Sequence, residues 1–323
     1  MAPTPILSVI IPVYNAERTL RTAIDSVIMQ RCHDVEIVVV DDGSTDGSWG
    51  IIESYGDRIV ALRQENAGAS AARNHGARVG RGRFLKFLDS DDFLFPEALE
   101  KQIEHAKGLP EGAISFGEEV SWSEELGRVS SAGRTIMFPP GSARIDRFLT
   151  ALPTISAWMY PRQLFEEIGG FDVKLALLDD FDFCCRAILA GCVPCATPTL
   201  IFAYRQHETP GRISRRKSPE DFASIMSMYR DFTRRLEASE LQYSKDAVAK
   251  GLAKHCWVNA RTAHRHGCED IAREMFDIAR NLHGDGVAGS PIYRVIEKIV
   301  GPIRAETIGA GLKSVVAGRR GTQ

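Results

Sequence analysis

Two acidic clusters carry most of the chemical potential in this sequence. Asp41-Asp42-Gly43-Ser44, with Asp46 just beyond, ends the apolar run 35–40, and Asp89-Ser90-Asp91-Asp92 ends the apolar run 84–88. Like charges set this close repel unless something offsets them. Carboxylate oxygens suit a hard divalent cation, Mg²⁺ or Mn²⁺, which binds one or two carboxylates together with substrate phosphates. That chemistry expects a nucleotide or diphosphate ligand. A third polar signature, Pro12-Val13-Tyr14-Asn15, closes the run 7–13 and adds an aromatic ring. Each segment alone reads as a turn rich in turn-forming residues. Two acidic clusters at strand ends favour function over that reading.

The surrounding pattern says how these groups are held. Apolar runs at 7–13, 35–40, 59–62 and 84–88 alternate with helix-like stretches at 16–30, 45–55, 69–79 and 97–106. Repeated strand-helix-strand order predicts an α/β fold with a mostly parallel sheet flanked by helices. Ligands of open parallel sheets bind beyond the carboxyl ends of the strands, which is where all three signatures fall. Gly68 and Gly76 fit a tight turn and a close helix packing. The stretch 117–147 is weakly patterned and reads as loops and irregular strands. Residues 161–168 form a short helix stopped by Gly169-Gly170, and 179–190 another, acidic in its first turn. From Ser218-Pro219-Glu220-Asp221 the chain reads as helical to about 282. The expected domains are 1–217, carrying the chemistry, and a helical region, 218–323.

Composition excludes several classes. The chain has 323 residues, 44% hydrophobic and 25% charged, which is ordinary for a globular protein. Forty basic against 42 acidic residues gives a net charge of −2, not the basic excess of a nucleic-acid binder. Neither G-x-x-x-x-G-K-[ST] nor a G-x-G-x-x-G after the first strand is present, which argues against a P-loop NTPase and a dinucleotide dehydrogenase. No signal peptide or membrane span is read, and seven irregularly spaced cysteines fit a reducing compartment, so a cytoplasmic location is expected. Cys192-Val193-Pro194-Cys195 follows a helix stop and reads as small apolar residues entering a strand, since one C-x-x-C offers half a zinc site.

Taken together the motifs resemble the family 2 glycosyltransferases of GT-A fold. The resemblance rests on Ser8–Asn15, Asp41–Ser48, Glu65–Gly76, Phe87–Asp92, Gly169-Gly170-Phe171-Asp172 and Leu178–Asp182, in that order, over roughly residues 6–210. It implies that Pro12, Val13 and Tyr14 contact the base and ribose of a nucleotide. It implies that Asp42 or its neighbour Asp41 accepts a hydrogen bond from the base, typically uracil. Arg73 lies near the acidic pocket, on the nucleotide side or in a structural role. Asp89, Ser90 and Asp91 form the D-x-D element, with Asp91 ligating Mn²⁺ or Mg²⁺ and Asp89 meeting the ribose or the metal's waters. Asp180 becomes the catalytic base, and Asp179 and Asp182 orient or cap. His207 stands near metal or diphosphate, or is a solvated loop histidine. The implied activity is inverting transfer from a nucleotide diphosphate sugar, UDP-linked by family habit, to a hydroxyl of a cell-surface glycan or lipid-linked acceptor. Such transfer needs one base, because a metal neutralises the leaving diphosphate and no second carboxyl need protonate it.

Two other readings compete. A sugar-nucleotide pyrophosphorylase needs a Gly-rich basic loop after the first strand, which Pro12–Arg18 lacks. A non-catalytic nucleotide-sugar-binding module of the same fold has no need of Asp89, Asp91 and Asp180. The stretch 294–320 carries six basic and two acidic residues among regularly interspersed Ile, Val and Leu. It reads either as a peripheral membrane contact at the inner face or as an amphipathic helix docked on its own domain.

Overall fold

The computed structural model describes residues 4–32, 34–125, 127–129, 145–150, 152, 154–206, 218–241, 243–284, 293, 295, 297 and 299–307. The chain divides into two compact units, Met1–Ala143 with Ala151–Arg212, and Arg144–Thr150 with Ile213–Gln323.

The first unit opens with β1 (Leu7–Val13), α1 (Leu20–Ile28), β2 (Val35–Asp41), α2 (Ser48–Glu53), β3 (Val60–Arg63), α3 (Ala69–Val79) and β4 (Phe84–Phe87). These strands lie in the order β3-β2-β1-β4, all parallel. Every residue of β1 and β4 is buried, as continuous apolar runs demand when both sheet faces are covered. Pro12 is tolerated inside β1 for a reason of register. Val13 points its carbonyl to the β2 side and Ile10 to the β4 side, where it accepts from Leu88 N. The missing N–H of Pro12 therefore faces β4, whose pairing with β1 stops at Ile10–Phe87. Gly76 lets α3 lie close on the sheet: a Cβ there would sit 2.5 Å from Ile10 Cγ2.

Next come β5 (Phe93–Leu94), α4 (Ala98–Lys107), β6 (Ile114–Ser123), β7 (Arg128–Val129), α5 (Ile145–Thr150), β8 (Trp158–Pro161), α6 (Arg162–Glu167), α7 (Asp179–Leu189) and β9 (Pro194–Gln206). All but α5 belong to the first unit. They extend the sheet as β4-β8-β6-β9-β5, with β7 on β6. β8 is antiparallel to both neighbours, and β6 and β9 are parallel, so the parallel half continues into a mixed half. An aromatic cluster of Phe87, Tyr160, Phe165, Phe171 and Phe183 packs beneath α7, with Phe87 and Phe171 edge to face at 5.0 Å. Such pairs add about 1 kcal/mol each beyond their burial.

The stretch expected as loops and irregular strands is more ordered where it is described. β6 is a ten-residue strand, and α5 is helical. Two features hide β6 from its sequence. Its register slips between Phe116 and Glu119, which breaks the alternation. Glu119 looks like a surface residue, yet it is buried with its carboxylate on Thr154. Residues 126 and 130–144 lie outside the described set. Cys195 does enter a strand, β9, and burial pushes the thiols of Cys184, Cys185 and Cys192 well up, away from the reactive thiolate.

The second unit contains α5, α8 (Pro219–Ala238), α9 (Lys245–Arg265), α10 (Glu269–His283) and helical residues 299–307. Ser218 starts α8 with a capping box: its hydroxyl accepts from Asp221 N and Asp221 accepts from Ser218 N, ahead of Pro219 at the first helical position. Trp257 and Phe276 pack at 4.6 Å between α9 and α10. No described helix is long and apolar enough to cross a membrane.

Candidate active site

The parallel half places the ends of β1, β2 and β4 along one edge. Tyr14 follows β1 and is 52% exposed, its ring free to meet a ligand. Pro12 and Val13 are buried beneath it. Asn15 takes a left-handed backbone, φ 50°, and its side-chain oxygen accepts from Thr45 N at 2.8 Å. The β1 and β2 loops are thus tied to one another.

Asp41 and Asp42 are both buried but do different work. Asp41 pairs with Arg63 Nε at 3.1 Å at the end of β3. Asp42 accepts from Gln64 Nε2, Ala67 N and Gly68 N at 2.8, 2.9 and 2.8 Å, folding the loop 64–68 around its carboxylate. Gly68, at φ +91°, supplies the backbone that turn needs before α3. Gln64 in turn meets His75 Nδ1 through its side-chain oxygen at 2.8 Å. Since Gln64 gives its amide hydrogen to Asp42, its oxygen must accept, so the proton sits on Nδ1 of His75.

The turn after β4 gathers Asp89, Asp91 and Asp92, one carboxylate oxygen of each lying within 4.8 Å of the others. Burial, then Asp91 and Asp89, pushes the carboxyl of Asp92 well above the usual range. Asp92 faces inward, accepting from Ser156 Oγ at 3.0 Å and from Arg205 N at 3.0 Å. Arg205 also donates through Nε to the Asp91 carbonyl at 2.8 Å. Asp89 and Asp91 are the more exposed members. Three crowded carboxylates, two of them partly open to solvent, fit a hard divalent cation. Asp89 and Asp91 would hold it, with Asp92 behind them.

Arg73, on α3, spans the site. Its Nη2 lies 2.7 Å from Asp89 Oδ1 and its Nη1 2.6 Å from Asp179 Oδ2, and its plane sits 5.5 Å from the Phe171 ring centre. Burial opposes its charge, but Asp89 and Asp179 more than offset that and raise its proton affinity. Ser70 Oγ also donates to Asp179, at 2.8 Å. Asp180 is the next residue, half-buried in the first turn of α7, and accepts from Phe181 N at 2.7 Å. Burial first, then Asp179, pushes its carboxyl up to about 7. Leu178, immediately before, adopts φ 60°. For a bulky residue that conformation costs roughly 1–2 kcal/mol, strain that the surrounding packing holds at the site.

The structure therefore brings Asp89, Asp91, Arg73 and Asp180 into one connected arrangement, with Ser90 in the acidic turn and Tyr14, Asp41 and Asp42 along the same sheet edge. His207 lies outside the described residues. Sequence reasoning passed over Ser156, Arg205, Gln64 and Ser70. Ser156 carries no local signal, being 67 residues from the Asp89 amide that it accepts from.

This combination, a parallel α/β half with an acidic turn after its fourth strand and an acidic helix start facing it, defines the GT-A class. The chain belongs to glycosyl transferase family 2, whose profile matches residues 8–169. An uncharacterized glycosyltransferase of Rickettsia typhi is 31% identical over 188 residues, 55% of this chain and 57% of that protein. Glycosyltransferase GlyA of Streptococcus pneumoniae is 42% identical over 127 residues, 38% of this chain and 18% of that protein. The chain thus matches little more than half of the first relative's length and less of the second's. In fold it is similar to S. aureus TarS 1–349 in complex with UDP-GlcNAc, with TM-score 0.68, 19% identity, and coverage of 98% of this chain and 92% of that one.

Proposed function

We propose that this chain is an inverting, divalent-metal-dependent glycosyltransferase. It moves a sugar from a UDP-linked donor to a hydroxyl of a cell-surface glycan or lipid-linked acceptor. The observation that carries this reading is the Asp89–Arg73–Asp179 bridge, which sets the acidic turn beside a second carboxylate, Asp180, of raised proton affinity. TarS was crystallised with UDP-GlcNAc and with UDP, which supports a uridine nucleotide as the donor carrier here.

In this reading Tyr14, with Pro12 and Val13, packs on the base and ribose, and Asp42 accepts from the base edge. Asp41 keeps Arg63 in place. Asp91 and Asp89 hold Mn²⁺ or Mg²⁺, which when bound neutralises charge on the leaving diphosphate. Asp180 takes the proton of the acceptor hydroxyl. A carboxyl near 7 suits that task, because a base works best when its proton affinity lies near the working pH. Arg73 holds Asp89 and Asp179 in register without touching the reacting atoms.

We also place the enzyme in the cytoplasm, in peripheral contact with the inner face of a membrane through the segment 294–320. Its two acids, Glu297 and Glu306, are buried and paired with Arg280 and Arg261 at 3.0 and 2.7 Å. Val295 and Ile299 are exposed at 59% and 77%, and Arg304 is exposed. Among the described residues of the segment, buried paired acids with Val295, Ile299 and Arg304 exposed suit an anionic bilayer surface.

The test is thermal stabilisation by UDP, GDP, dTDP and CDP, each with Mn²⁺, Mg²⁺ or EDTA. A ligand at ~100 times its dissociation constant adds ~2.7 kcal/mol, a shift of several degrees. The expected result is a metal-dependent shift with UDP that Asp91→Ala removes. A shift with another nucleotide replaces the donor, and no shift with any overturns the reading.

A further inference from the structure

Lys86 is an ionisable side chain in the middle of the apolar strand β4, and it is fully buried. Its ammonium meets three acceptors: Gln102 Oε1 at 3.0 Å, the Ser156 carbonyl at 2.8 Å and the Trp158 carbonyl at 3.3 Å. Three donors thus find three partners, none of them a carboxylate. Gln102, on α4, is fully buried too, and its Nε2 donates to the Ala157 carbonyl at 2.9 Å. Two buried polar side chains therefore hold the consecutive carbonyls of residues 156, 157 and 158. Just before them, Glu119 accepts from Thr154 N and Oγ1 at 2.9 and 2.8 Å. The turn 154–158 is gripped by polar groups from three elements.

Such a clamp is costly. Burying an ammonium among neutral groups opposes its charge, and burial pushes Lys86 down to about 7. A leucine or methionine would satisfy an apolar strand without that cost. The residue that gains from the clamp is Ser156. Its Oγ accepts from Asp89 N at 3.2 Å and donates to Asp92 Oδ2 at 3.0 Å, so one hydroxyl sets both ends of the acidic turn.

We infer that Lys86 is a positioning residue for the acidic turn: by fixing the main chain at Ser156 it sets the spacing of Asp89, Asp91 and Asp92, and so their affinity for a divalent cation. The inference rests on the reading of that turn as a cation site. Groups that hold metal ligands from behind typically change affinity by ten- to a hundredfold when removed. Groups acting through one shared contact are not additive.

The experiment is a calorimetric Mn²⁺ titration of the full chain without nucleotide, for wild type, Lys86→Met, Ser156→Ala and the double variant. Circular dichroism confirms that each is folded at the temperature used. Each single variant is expected to bind Mn²⁺ about tenfold more weakly, and the double variant no worse than the weaker single. Wild type that binds no Mn²⁺ overturns the cation-site reading itself. Wild type that binds, with folded Lys86→Met binding equally well, overturns this inference alone, and so do fully additive losses. Should Lys86→Met fail to fold, Ser156→Ala decides, because it leaves the carbonyl that Lys86 holds. Unchanged affinity in that variant overturns the inference.

Discussion

Arg73 and Asp179, 106 positions apart in the chain, meet at 2.6 Å. The other arm of the same guanidinium holds Asp89 at 2.7 Å. One guanidinium cation thus fixes the distance between the turn proposed to hold the divalent metal and the helix start that carries the proposed base. Both carboxylates keep partial exposure, 31% and 20% for their side chains, while the arginine itself is buried.

Removing that cation should be costly. Arg73→Met leaves two carboxylates facing each other across the gap, and breaking a buried pair by deleting one partner costs about 3–5 kcal/mol. Urea unfolding should therefore show a lowered midpoint with little change in slope. A variant as stable as wild type would make the bridge a surface ornament.

Asp180→Asn should separate chemistry from binding. The amide cannot take a proton, and loss of a general base typically lowers turnover by about 10²–10⁴-fold. UDP binding, followed calorimetrically in the presence of Mn²⁺, should stay within a few-fold of wild type. Turnover that survives the substitution would move the base to another group.

The pH dependence follows from the same carboxyl. Asp180 acts only when ionised and its proton affinity is raised to about 7, so kcat/KM should climb with pH below that point and level off above it. Stability runs the other way. The folded protein keeps a proton on Asp180 that the unfolded chain has released, so ionising it between pH 4 and 7 weakens the fold. Asp180→Asn should then melt higher than wild type at pH 8, with the gap closing toward pH 4. A flat rate profile, or equal melting at pH 8, contradicts the assignment.

The close approach of α3 to the sheet can be tested away from the chemistry. Gly76→Ala puts a methyl 2.5 Å from Ile10 Cγ2 and 3.1 Å from Val40 Cγ2. Overpacking of that kind costs about 1–3 kcal/mol, more than alanine's helix propensity returns. A melting temperature that rises instead would mean the helix shifts freely on its sheet.

The sequence by itself determined the alternation of strands and helices through residue 106, and the bounds of β1 and α3 match their apolar patterns residue for residue. It determined the helix start at Ser218, where hydroxyl, proline and carboxylate all lie within one turn. These features rest on short-range periodicity and local hydrogen bonds, which a linear reading can see. It also isolated Asp89 and Asp91 as candidates, because charged residues at the ends of apolar runs stand out, whereas Asp180 came forward only through the family resemblance of its motif. Only the tertiary structure decided what those residues touch. β6 escaped because a slipped register and a buried glutamate erase the period-two signal. Ser156 and Lys86 took their roles from contacts 64 and 70 residues away in the chain. Asp42 turned its carboxylate onto its own 64–68 loop, and Asp179 became Arg73's partner rather than a simple helix cap. Which oxygen meets which nitrogen depends on how strands and helices stack in space, and no local pattern in the chain encodes that distance.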